Sequence, residues 1–485
     1  MAQVPAVRRF PGWLRRCGWC GLCVLGVVCL GILGFRVLMW RVHRKAVVVV
    51  ESYGRSRPPL PLGGVGKGRA DRTPSLGTKL SDVPHLGATL AGDDVAGLED
   101  FAAALESMRG FLGRCGQPSG AEPVDFRALL AKLGINLPAG ATEAEVAAAF
   151  LREAGAFATL LDDWRAAVSS GAWEVTDLDG RVSVLSTAFS LFPRLLRLMA
   201  EAQWQSGDSA AAWGSVSLMA LTVERAFDIP QLHCQSAAYA SSGALAETLA
   251  SGVSAGGWSD DHLRSVPRLA ATLDPLAHLP GYAEGAKRTL DLWSASAGSP
   301  SSGRPVTLDV TDPVQSVISL AHGTLDSSRQ RELDNFSLIK ALFDADAASF
   351  DYSSRTLLPA ADRKAFDPVA GLQDSGVFSQ LYFAPALHHR SYEEESPLGK
   401  VVTAQSQVDH AVIAARLELE KRAAGAYPDQ LPDGLPHDVA TGQPYRYQRL
   451  PDGGYRLWGV GLDQSDQGGD GRSDVVWPAG RSSHP

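Results

Sequence analysis

The chain has 485 residues, 45% hydrophobic and 20% charged, which suits a folded protein of two or three domains. Eight of its 45 basic residues and none of its acids lie in residues 1–45, leaving 37 basic against 53 acidic residues beyond, a balance of −16. An acidic body argues against nucleic acid as a partner, since phosphate binding needs a basic face.

Residues 17–35 (CGWCGLCVLGVVCLGILGF) carry no charge, and Val37-Leu38-Met39-Trp40 extends the run past Arg36. At about 1.5 Å per residue this just spans a hydrocarbon core of about 30 Å, with Trp13 and Trp40 at the interfaces. There is no Ala-x-Ala cleavage site, and Leu22 and Val28 precede Cys23 and Cys29 where a lipoprotein needs a small residue. An uncleaved single-pass anchor, spanning residues 17–40 behind a short cytoplasmic tail, is therefore expected. Cys17, Cys20, Cys23 and Cys29 fall inside it and read as small apolar side chains in lipid. Of six cysteines only Cys115 and Cys234 remain, which leaves one disulfide open but makes no disulfide framework.

Residues 46–80 are rich in proline and glycine and read as a linker. Its GGVGKGR lacks the Ser or Thr that follows the lysine of a phosphate loop. An α-helical domain is expected over 81–350. Val95, Leu98, Phe101, Leu105, Met108 and Leu112 form one helical stripe, and a short helix at 126–133 stops at Gly134. Thr142 with Glu145 has the form of a capping box opening a helix through AEVAAAFLREAGAFATLLDDWRAAV. Residues 184–226 read as a helical hairpin turning at Gly207-Asp208, with alanines on the facing sides, as in a tetratricopeptide-type repeat. One such hairpin predicts solenoid-like packing rather than a repeat array.

Further helices are expected at 244–249, 259–273, 281–296 and, with breaks, 314–350. Gly252-Val253-Ser254-Ala255-Gly256 matches a nucleophile elbow in letters, but a helix precedes it where a strand is required, so a glycine-terminated helix is expected. Residues 351–397 read as a mixed connector. There His388, His389, Glu393, Glu394 and Glu395 gather metal-capable and acid–base groups without a helical metal spacing.

A helix at 396–423 leads to Pro451-Asp452-Gly453-Gly454, a hairpin signal between strands at 444–449 and 455–461. Then comes LDQSDQGGDGRSDVVW. Asp463, Asp466, Asp470 and Asp474 supply up to eight carboxylate oxygens, and the glycines let backbone carbonyls turn inward. Ca²⁺ takes six to eight oxygens in tolerant geometry, so these four aspartates are the expected metal ligands. The frame is not an EF-hand.

The order Gly425-Ala426-Tyr427-Pro428, Asp438, Thr441-Gly442-Gln443-Pro444-Tyr445-Arg446-Tyr447, Gly461-Leu462-Asp463, Gly468-Gly469-Asp470, Ser473-Asp474-Val475 and Trp477 resembles the C-terminal region of the major pseudopilins of type II secretion. The resemblance implies a small α+β module with a calcium-binding acidic tail. It covers roughly 75 residues. Gln464 stands where that family often has glycine. The whole chain also looks like large membrane-anchored bacterial proteins of unassigned activity with a helical middle and that tail. The other end departs from pseudopilins: Gly34-Phe35 sits at the end of the uncharged run, and, with Phe35 counted as the first residue, the fifth is Met39, where they have glutamate.

The expected protein is mainly α, anchored in a bacterial inner membrane with its body outside the cytoplasm, where Ca²⁺ at about 0.1–1 mM is available. Its expected work is binding or scaffolding with protein partners of the cell envelope. The alternatives are an envelope hydrolase with a site between helical body and tail, and a pseudopilin-like secretion component.

Overall fold

The computed structural model describes residues 95–116, 124–169, 181–229, 231–297, 324–368, 396–471 and 473–477. The anchor, the linker and the His388–Glu395 cluster lie outside these residues. Among the described residues no helix is long and apolar enough to cross a membrane.

The protein is mainly helical with a small sheet part. Helix α1 (Val95–Cys115) buries Phe101, Leu105, Met108 and Leu112, the expected stripe. Helix α2 (Phe126–Lys132) is capped by Asp125 and ends at Gly134, φ 83°. Helix α3 (Glu143–Ala154) opens with the full capping box: Glu145 N–H donates to Thr142 Oγ1 at 3.3 Å, and Thr142 N–H to Glu145 Oε2 at 2.8 Å. The expected single long helix is broken. A 3₁₀ turn over Gly155–Phe157 places Phe157 5.3 Å from Phe111 before α4 (Ala158–Ser169) continues.

Helices α5 (Arg181–Gln205) and α6 (Ser209–Asp228) form the expected hairpin. Gly207, at φ 92°, carries a Schellman turn in which Asp208 N–H donates to the Gln203 carbonyl at 2.8 Å. The Asp208 side chain then caps α6 through Ala211 N–H. Helix α7 (Leu232–Ser254) is far longer than the expected 244–249. It is buried on nearly all sides, so its Ala- and Ser-rich sequence shows no polar face, and Ser242 and Thr248 satisfy their hydroxyls on the carbonyls four residues back.

The elbow-like GVSAG ends α7 in a second Schellman turn, with Gly256 at φ 67° and Gly257 N–H on the Gly252 carbonyl at 2.8 Å. Helix α8 (Asp260–Leu273) starts on the Ser259 cap, and a 3₁₀ turn (Pro275–His278) leads to α9 (Leu279–Ala297). Cys115 and Cys234 are buried free thiols with no disulfide between them; burial pushes their pKa values to about 11 and about 12.

After α10 (Thr324–Ala348), an unforeseen hairpin pairs β1 (Phe350–Asp351) with β2 (Thr356–Leu357), followed by α11 (Ala360–Phe366). Helix α12 (Pro397–Ala424) is capped by Ser396 and stopped by Gly425 at φ 84°. It packs on α7, α8 and the 3₁₀ turn. Strands β3 (Arg446–Arg449), β4 (Tyr455–Gly459) and β5 (Val475–Trp477) form an antiparallel sheet in that order.

Two compact units result. The larger contains the described residues up to Thr289, then 343–367 and those from Ser396 on, so α12 and the sheet share a unit with α1–α8. The described residues of the other are 290–297, 324–342 and 368, and they include an ion pair between Lys340 and Asp291.

Candidate metal centre

The register Arg446↔Trp458, Tyr447↔Leu457, Gln448↔Arg456 and Leu457↔Trp477 sorts the sheet into two faces. Leu457 and Trp477 are buried on one face, near α12. Arg446, Arg456 and Trp458 share the other face, and the acidic loop lies against them.

The loop begins at Gly461, φ 67°, where a Cβ would stand 2.1 Å from the Ser473 carbonyl oxygen. Only glycine permits this closure. Gln464 adopts the same left-handed region at φ 55°, the conformation glycine takes freely. Its amide holds it there by donating to the carbonyls of Ala440 at 2.7 Å and Leu357 at 3.3 Å.

The four aspartates differ in environment. Asp463 is exposed and accepts from Ser465 N–H at 3.0 Å and Gln467 Nε2 at 2.6 Å. Asp466 accepts from Trp458 Nε1 at 3.0 Å, Gly468 N–H at 2.9 Å and Arg446 Nε at 3.0 Å. These partners, the indole first, lower its pKa. Asp470 is exposed, and its backbone carbonyl receives Ser473 and Asp474 N–H.

Asp474 is 4% exposed. Its Oδ2 accepts from Gly469 N–H at 2.6 Å, while its Oδ1 is buried without a hydrogen-bond partner. Burial raises its pKa; the backbone N–H groups of Gly469 and Gln467 oppose this, and the charges of Asp466 and Asp463 add to it. Among the described residues no three His, Cys, Asp or Glu side chains stand together as a ligand set. The fit to a cation therefore rests on one orphaned carboxylate oxygen with two like charges near it, and not on an assembled shell.

Two residues outside the predicted set are part of this site. Arg446 pairs with Asp466, and Arg456 donates to the Gly469 carbonyl at 2.5 Å while lying 5.5 Å from the Trp458 ring. Counting strand alternation back from the Pro451–Gly454 turn would have placed both arginines on the loop's face.

A second polar cluster lies where α12 meets the 3₁₀ turn. Asp409 accepts from Gln405 Nε2 and Tyr445 Oη, each at 2.9 Å, and Gln405 Oε1 accepts from Leu276 N–H at 3.1 Å. Arg355 forks onto Asp274 at 2.8 and 3.1 Å, both residues being left-handed, at φ 57° and 31°. His410 is wholly buried against Tyr445, and burial pushes its pKa to about 3, so it is neutral. No known family model, curated protein or solved structure matches the chain.

Proposed function

We propose that the chain is a single-pass envelope protein, anchored by residues 17–40 in a bacterial inner membrane. Its extracytoplasmic helical body, an α-hairpin assembly with solenoid-like packing, binds or scaffolds other envelope proteins. Its pseudopilin-like C-terminal module is stabilised by Ca²⁺. The observation that carries the calcium reading is the buried, unpartnered Oδ1 of Asp474 beside Asp463 and Asp466. Leaving such an oxygen unsatisfied costs about 1–3 kcal/mol, and an oxygen-seeking cation would remove that cost. Asp474, Asp463 and Asp466 would hold the ion, with Asp470 completing the acidic set. The ion supplies charge neutralisation, and the chain supplies the glycine-permitted turn that brings residues 461 and 473 together.

The test is hydrogen exchange of residues 461–477 in the full chain, held in nanodiscs, in millimolar Ca²⁺ and in chelator. At ten times its dissociation constant Ca²⁺ contributes about 1.4 kcal/mol, so the loop exchanges roughly tenfold more slowly, and Asp474→Asn abolishes the difference. Equal protection in both buffers overturns the reading and assigns the neutralisation to Arg446 and Arg456.

A further inference from the structure

Helices α1, α5 and α7 enclose a cleft of about 320 Å³, within the size range of small-molecule sites. Its room comes from α7, where Ala237, Ala240, Ser241 and Ala244 present small side chains at helical spacing. Leu112, Pro193 and Leu198 supply apolar wall, and the exposed Ala240 marks the mouth.

The cleft's charge is one-sided. Arg197 on its wall is buried and held by Glu201 and Glu247. Arg194, one turn earlier on α5, also lines the cleft and is half-buried, yet among the described residues it forms no ion pair or hydrogen bond. Lys132 stands at the rim, its Nζ 3.7 Å from where a Cβ of Gly116 would be. Arg114 is near as well, since Arg114, Arg194 and Lys132 all bear on the Cys115 thiol. None of the three meets a carboxylate among the described residues. Arg114 and Lys132 sit in the last turns of α1 and α2, where the helix dipole favours a cation. Arg194 is mid-helix and has no such reason to be there. A partly desolvated guanidinium without an anion is costly in a chain whose body carries surplus acid.

We infer that this cleft binds a single-chain anionic amphiphile, its carboxylate or phosphate on Arg194 with Lys132 and its chain along the apolar wall between α5 and α7. A planar guanidinium takes either oxyanion in a fork. The same chemistry is offered by a free fatty acid and by a phosphorylated lipid.

The probes are octanoate and octyl phosphate, titrated calorimetrically into the full chain in zwitterionic nanodiscs with empty discs subtracted. Octanol and octyltrimethylammonium serve as neutral and cationic controls. Both anions bind and the controls do not; the tighter anion distinguishes the fatty-acid from the phosphate source. Arg194→Gln weakens binding about tenfold, the loss of one charge-assisted pair, and Ala240→Phe abolishes it by filling the mouth. Ala240 is exposed, so that variant folds even if Arg194→Gln does not. Equal binding of octanol, or anion binding indifferent to both substitutions, overturns the proposal.

Discussion

At the scale of single residues, Asp409 shows how burial rewrites acid–base behaviour. Removal from water raises its pKa from 3.8 to about 7; the Gln405 and Tyr445 hydrogen bonds and the Arg355 charge oppose this, and Asp274 adds to it. Because the folded value lies above the unfolded one, the protonated carboxyl stabilises the fold fully below about pH 4. That contribution is lost as the pH rises toward 7, at up to about 1.4 kcal/mol per pH unit. Asp409→Asn keeps a neutral hydrogen-bonding group and removes the slope. Urea midpoints of the wild type should therefore fall relative to the variant's between pH 4 and 7. Parallel curves would mean that Asp409 is already ionised in the fold. Nothing in DHAVIAARLE announces this, since the environment comes from Tyr445 and Leu276, far along the chain.

At the scale of elements, α5 carries Pro193 in its interior. Proline has no N–H, so the Phe189 carbonyl lacks the bond a helix would give it. Ser241 Oγ of α7 donates to that carbonyl at 3.3 Å. The helix survives its proline partly because a neighbour supplies the missing donor. Ser241→Ala should cost about 1 kcal/mol by thermal unfolding in the wild type and close to nothing in Pro193→Ala, where the helix bond returns. Additive losses would deny the coupling. Element ends were the most legible feature of the chain: the Gly134 stop, the Thr142–Glu145 box and the Gly207–Asp208 turn all act locally. The extent of α7 was not legible, because a helix enclosed on most sides by partners loses the amphipathic period that reveals a helix.

At the scale of the molecule, α12 is the central strut. It buries Val401, Val402, Val408, Ile413 and Leu417. Gly243 of α7 comes so close that a Cβ there would meet Gln407 Oε1 at 2.6 Å. Arg422 donates to the Trp258 carbonyl at 2.8 Å and pairs with Asp260. A pseudopilin-like tail, as proposed above, would be a separable module, but these faces need α7 and α8 to cover them. A fragment of residues 396–485 should show no cooperative thermal transition by circular dichroism, whereas the full chain does. A cooperative fragment would show that α12 and the sheet bury enough between themselves.

The sequence by itself determined the helical character of the body, several of its helix ends, the tight hairpin before Tyr455 and the acidic run that follows. Each depends on residues within a few positions of one another, so propensity, capping and turn chemistry suffice. The tertiary structure alone decided which aspartate is buried and which is held by arginine, that Cys115 and Cys234 stay apart, that Arg194 faces a cleft, and that α12 belongs with α7. Those outcomes depend on which distant segments exclude water from a given side chain, and chain-local patterns carry no record of that.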